Sequence, residues 1–139
     1  MLRFCIFVSL MADALDTRNK DHTDRDTFVG HRIRVMTCTT WHDDMADYKD
    51  AVVQAAKNAL TAAKNKLEEG EKIVQIMQIT VYVNSEPDFT KQPKIADFAS
   101  EYFCEELGES GVGSRAAVGV AVLPGEAPVE IAIIAGVGK

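Results

Sequence analysis

Apolar positions along this chain recur with two different periods, and each change of period marks a predicted element. Phe4, Ile6 and Val8, with Cys5 and Phe7 between them, make a short apolar run that predicts a buried strand over residues 3–9. The same stretch also has the outline of a signal peptide, with Arg3 ahead of the run and the small-x-small Ala12-Asp13-Ala14 behind it. The strand is the preferred reading because the run is short for a leader. It also falls far below the about 20 residues that span a bilayer, so no membrane partner is expected. Residues 13–27 hold hardly an apolar side chain and predict a solvated loop. Ile33 and Val35 then alternate with Arg32 and Arg34, which predicts a second strand over 28–37.

Helical spacing takes over at residues 47–69, where Val52, Val53, Ala56, Ala59, Leu60, Ala63 and Leu67 form one stripe. Asp47 and Asp50 open this helix, Lys64 and Lys66 close it, and Gly70 is its expected stop. Its many alanines suit close approach to a sheet. Ile76, Ile79, Val81 and Val83 predict a third strand over 73–83, ended by Asn84-Ser85-Glu86-Pro87-Asp88. Pro93 opens a second helix with Ile95, Phe98, Ala99, Tyr102, Phe103 and Leu107 on its apolar face and Gly108 as its C-cap. The glycines of residues 108–114 match no phosphate-binding spacing and read as a flexible lead-in. Two apolar runs, 116–123 and 129–137, joined through Pro124 and Pro128, predict a hairpin apolar on both faces.

Composition narrows the function classes. The chain has 139 residues, a formal charge of −6, 47% hydrophobic and 26% charged residues, which describes one globular domain over residues 1–139. A pI of about 5.0 without a Lys/Arg cluster speaks against nucleic acid, whose binding rests on clustered cations. Cys5, Cys38 and Cys104 form no CxxC pair and read as reduced thiols of a cytoplasmic protein. His42, Asp43 and Asp44 are adjacent and point in different directions on any regular element, so they suit helix capping better than a metal. Neither metal nor cofactor is expected.

Two charges stand out in the apolar C-terminal part. Arg115 is the one charged side chain between Ser110 and Pro124, and Glu130 the one between Ala127 and Gly138. An arginine at a strand start can reach solvent along its own stem. A glutamate flanked by Val129 and Ile131 needs a partner or a function if it is buried. In the predicted hairpin Arg115 lies opposite Val137 and Glu130 opposite Val122, more than ~20 Å apart at ~3.3 Å per residue. A shared site would then require a second copy of the chain, and a hairpin with two apolar faces supports an oligomer.

The segment Val81-Tyr82-Val83-Asn84-Ser85-Glu86-Pro87-Asp88-Phe89-Thr90-Lys91-Gln92-Pro93-Lys94, with Ser114-Arg115-Ala116-Ala117-Val118-Gly119-Val120-Ala121-Val122-Leu123-Pro124 and Pro128-Val129-Glu130-Ile131, resembles the Rid/YjgF family. These reactive-intermediate deaminases are also called endoribonuclease L-PSP proteins, and the likeness is strongest to the subgroup with a VNS-PDF-QPK stretch. The resemblance runs from Tyr48 to Val137. It implies the chorismate-mutase-like α+β fold, a mixed sheet with two helices on one face, assembled as a homotrimer around a central barrel. It further implies that Arg115 binds a substrate carboxylate, that the backbone N–H of Ala117 assists, and that Glu130 holds or activates the attacking water. The implied reaction is hydrolysis of a 2-imino acid or its enamine to a 2-keto acid. Before Tyr48 the sequence departs from the family, with Leu10-Met11 where a Gly-Gln turn is usual, and Ala132 stands at a commonly acidic position.

Three functions follow from these residues. One is an imine hydrolase using Arg115 and Glu130. Another is a non-catalytic trimer that binds small carboxylates or protein partners in the same clefts. The third is the ribonuclease of the family's other name, which the negative charge and the lack of a histidine in the matched region disfavour.

Overall fold

The computed structural model describes residues 3–7 and 46–139. The expected strand at 28–37, the polar loop at 13–27, the 40–44 segment and Cys38 lie outside the described residues. Helix α1 spans Ala46–Lys64 and buries Val52, Ala55, Ala56, Ala59, Leu60 and Ala63 along one side. It stops before the expected Glu69. Beyond Lys64 the exposed Asn65, Lys66, Glu68 and Glu69 offer no apolar stripe to bury, and packing rather than propensity sustains a helix. The chain leaves through tighter bonds, Lys66 N–H to Ala63 O at 3.1 Å and Leu67 N–H to Lys64 O at 3.2 Å. Gly70, at φ 79°, then turns it toward the sheet.

Strand β1 is Arg3–Phe7, β2 is Lys72–Asn84, β3 is Ser114–Val120 and β4 is Val129–Gly138. Their order in the sheet is β1-β4-β2-β3. β4 runs antiparallel to both β1 and β2, whereas β3 runs parallel to β2, so the sheet is mixed. A parallel pair needs a crossover between its strands. Helix α2, Gln92–Leu107, is that crossover, with Pro93 in its first turn and Gly108 at its C-cap donating its N–H to Cys104 O. Ile95, Ala96, Ala99 and Phe103 are its buried face, while Phe98, Tyr102 and Leu107 pack at the border of the core.

Strand parity decides which side faces the helices. Ile79, Val81 and Val83 of β2 and Val129, Ile131, Ile133 and Ala135 of β4 are all buried in one cluster with the helix stripes. The alternate positions Thr80, Tyr82, Glu130, Ala132 and Ile134 are half-buried on the other face, where Ala116 and Val118 are exposed. Two helices therefore cover one face of a mixed sheet, an α+β architecture.

The predicted hairpin of 116–123 with 129–137 does not form. β3 and β4 flank β2 on opposite sides and pair with it instead. A hairpin needs only a short turn, whereas the chain between Val120 and Val129 crosses the end of β2 through a short 3₁₀ turn at Pro124–Glu126. Both sides of β2 are secured there: Ser85 N–H donates to Val120 O at 3.1 Å and Asn84 N–H to Pro128 O at 2.9 Å. The expected oppositions of Arg115 with Val137 and Glu130 with Val122 are corrected accordingly. Arg115 lies beside Ile79, and Glu130 beside Tyr82.

Candidate functional site

Arg115 leaves the sheet at the start of β3, the outer strand among the described residues. It shares the parity of Ile79, so its stem turns toward the helix side and meets α2. The guanidinium Nη1 donates to Asp97 Oδ1 at 2.7 Å and to Ser100 Oγ at 3.1 Å. Its side chain keeps 29% of its surface, a charged end tied at one nitrogen and open elsewhere. Beside it lies a shallow recess of about 180 Å³ whose walls include Ile79, Ser100, Cys104 and Val112. Small apolar walls under a guanidinium suit a short anion with an aliphatic body. The Cys104 thiol on this wall is free and exposed.

The lead-in to β3 is tightly fitted rather than flexible. A Cβ on Gly111 would collide with the Phe103 carbonyl, and one on Gly113 with the Ile76 carbonyl, so both glycines permit backbone contact. Gln75 Nε2 donates to Val112 O, and Ser114 Oγ donates to Met77 O at 2.9 Å. These bonds hold the strand start that carries Arg115.

The 84–92 segment serves the frame. Asn84, almost fully buried, donates from Nδ2 to Ala127 O at 3.3 Å and so ties the β3–β4 connection to the end of β2. Gln92 Nε2 donates to Phe89 O at 2.6 Å and closes the turn ahead of α2.

Glu130 sits on the opposite face of the sheet. Tyr82 is its cross-strand neighbour, and it has no hydrogen-bond or ion-pair partner among the described residues. In a single chain Glu130 is half-buried and reaches water, so the condition that would demand a partner is not met there. Three residues along β2 and two strand spacings put it roughly 14 Å from Arg115. Ala117 follows Arg115 on the same parity and packs partly against the core. The structure thus brings Arg115 and Ala117 together and leaves Glu130 apart from them. Asp97 and Ser100 were not singled out by the sequence; their i, i+3 spacing is common, and only the position of α2 beside β3 gives it meaning. Tyr102, also on α2, holds its proton above the ordinary tyrosine value because burial disfavours the phenolate and Glu106 repels it.

A family model described as endoribonuclease L-PSP matches residues 36–137, most of the chain. The chain belongs to the endoribonuclease L-PSP family. Among solved structures, this L-PSP chain is similar to Atu1372, a protein of unknown function from Agrobacterium tumefaciens. The two share 34% identity and a TM-score of 0.60, over 69% of this chain and 61% of that one. A candidate endoribonuclease from Shewanella oneidensis is 25% identical with a TM-score of 0.60, over 68% of this chain and 63% of that one. The protein TCP17 of Trypanosoma cruzi is 40% identical over 62 residues, which are 44% of this chain and 39% of that protein. The L-PSP chain therefore spans less than two thirds of the length of each of these relatives.

Among the described residues no helix is long and apolar enough to cross a membrane, and no group of three or more His, Cys, Asp or Glu side chains converges as a metal site.

Proposed function

We propose that this chain assembles as a homotrimer and hydrolyses 2-imino acids to 2-keto acids and ammonia in clefts between subunits. The observation that carries this reading is the partly exposed guanidinium of Arg115 beside a small, mostly apolar recess at the end of the sheet. A fork of that kind takes a carboxylate by two parallel charge-assisted bonds, for which lysine has no equivalent. The backbone N–H of Ala117 adds a third donor. Glu130 of a neighbouring copy takes a proton from water as the oxygen adds to the imine carbon. It delivers that proton to nitrogen to give the aminoalcohol, then carries the hydroxyl proton to nitrogen as the C–N bond breaks, so C=NH and water become C=O and NH3. Two features support assembly. Arg115 and Glu130 lie on opposite faces of one sheet, and the helix-free face presents Val118, Ala132 and Ile134 with no described helix over them.

The test is ammonia release from freshly generated 2-iminopropanoate, with sedimentation mass measured on the same sample. Arg115→Ala is expected to abolish pyruvate binding and turnover while leaving assembly intact. Glu130→Gln is expected to lower kcat at least about tenfold with binding retained. Turnover that is indifferent to both changes would sink the reading. Arginine-dependent binding without turnover in the wild-type trimer would make the chain a carboxylate-binding member of the family.

A further inference from the structure

Asp97 and Ser100 stand one helical turn apart on α2, and both accept from the same nitrogen of Arg115. Nη1 carries two hydrogens, and the bonds to Asp97 Oδ1 at 2.7 Å and Ser100 Oγ at 3.1 Å use both. The direction of each bond is fixed. Arginine has no acceptor, and Ser100 Oγ sends its own proton to Ala96 O at 3.3 Å, which leaves its lone pairs to the guanidinium. Nη1 is therefore saturated. Nε–H and the Nη2 hydrogens have no acceptor among the described residues, and Nε with Nη2 forms one parallel two-donor edge.

We propose that Asp97 and Ser100 are positioning residues for ligand capture, gripping Arg115 by Nη1 so that its Nε–Nη2 edge is the one offered to an incoming carboxylate. This inference rests on the reading of Arg115 as a carboxylate clamp. An arginine side chain loses much rotamer freedom when it is held, and fixing it before the ligand arrives removes that cost from binding. Asp97 could oppose binding as well, because its negative charge stands near the incoming anion. Its side chain is 54% exposed, so water and salt screen that repulsion. The contact is also one oxygen on one nitrogen, whereas an internal competitor would occupy the two-donor edge.

Substitutions separate the grip from the charge. Asp97→Asn keeps an Oδ1 acceptor and removes the charge; Asp97→Ala removes both. Titration calorimetry of the full chain with pyruvate is expected to give binding by Asp97→Asn at least as tight as wild type. Asp97→Ala is expected to be weaker by about fivefold and Ser100→Ala by about twofold. Rescue by asparagine distinguishes positioning from a general structural loss, and thermal midpoints of the two Asp97 variants should coincide. Tighter binding by Asp97→Ala would make Asp97 a competitor and overturn the proposal. Equal affinities across the Asp97 and Ser100 variants, with binding still lost in Arg115→Ala, would overturn the positioning role and leave the clamp standing. Unchanged affinity in Arg115→Ala would remove the clamp itself, and the inference with it.

Discussion

Single residues at the start of β3 have little freedom to vary. Gly111 sits against the Phe103 carbonyl, a backbone atom that cannot swing aside as a side chain could. Gly70 has open space around it, and only its φ of 79° resists a side chain. The two alanine substitutions should therefore differ in size. Urea unfolding is expected to show a loss of about 2–4 kcal/mol for Gly111→Ala and about 1 kcal/mol for Gly70→Ala. Equal losses would deny the close contact. The glycine content of this stretch was visible in the sequence, but its purpose was not. A run of glycines looks the same whether it provides flexibility or close backbone approach, and only the neighbour across the gap decides.

Among the elements, the helices were the most legible. Their apolar stripes, the Pro93 start and the Gly108 stop are local features, written within a few residues of where they act. Phe103 on α2 is fully buried among the core residues, while Phe98 is only partly covered. Phe103→Ala is expected to cost about 3–5 kcal/mol in urea unfolding, and Phe98→Ala clearly less. A similar cost at both positions would contradict this placement of the helix. Strand pairing was less legible. The runs at 116–123 and 129–137 are adjacent in sequence and apolar, the usual signature of a hairpin, yet β2 lies between them. The β2–α2–β3 crossover commits one edge of β2 to β3, and β4 takes the other. No local pattern encodes that choice, because it depends on where α2 lies.

For the whole molecule, the sheet face that no described helix covers is the feature with the largest consequence. Val118 keeps 40% of its surface there, on the outer strand among the described residues, where backbone groups along the edge have no partner among those residues. In the proposed trimer this face is covered by other copies. A lysine at that position would have to be desolvated on assembly, a cost that Glu130, two strand spacings away on the same face, offsets only in part. Val118→Lys is thus expected to leave the secondary structure intact by circular dichroism while the sedimentation mass falls to that of a single chain. A trimer that persists with this substitution would place the interface elsewhere.

The sequence by itself determined the types of the described elements, most of the buried stripe on each helix, the resemblance to the L-PSP family, and the two charges worth following. All of these are carried by neighbours in the chain or by residue identity. Only the tertiary structure decided that β3 runs parallel to β2 and that Arg115 and Glu130 point from opposite faces. It also decided that Asp97 and Ser100 hold one nitrogen of the guanidinium. Those facts depend on contacts between residues far apart in the chain, set by how a helix crosses from one strand to the next, and side-chain periodicity within an element carries no record of them.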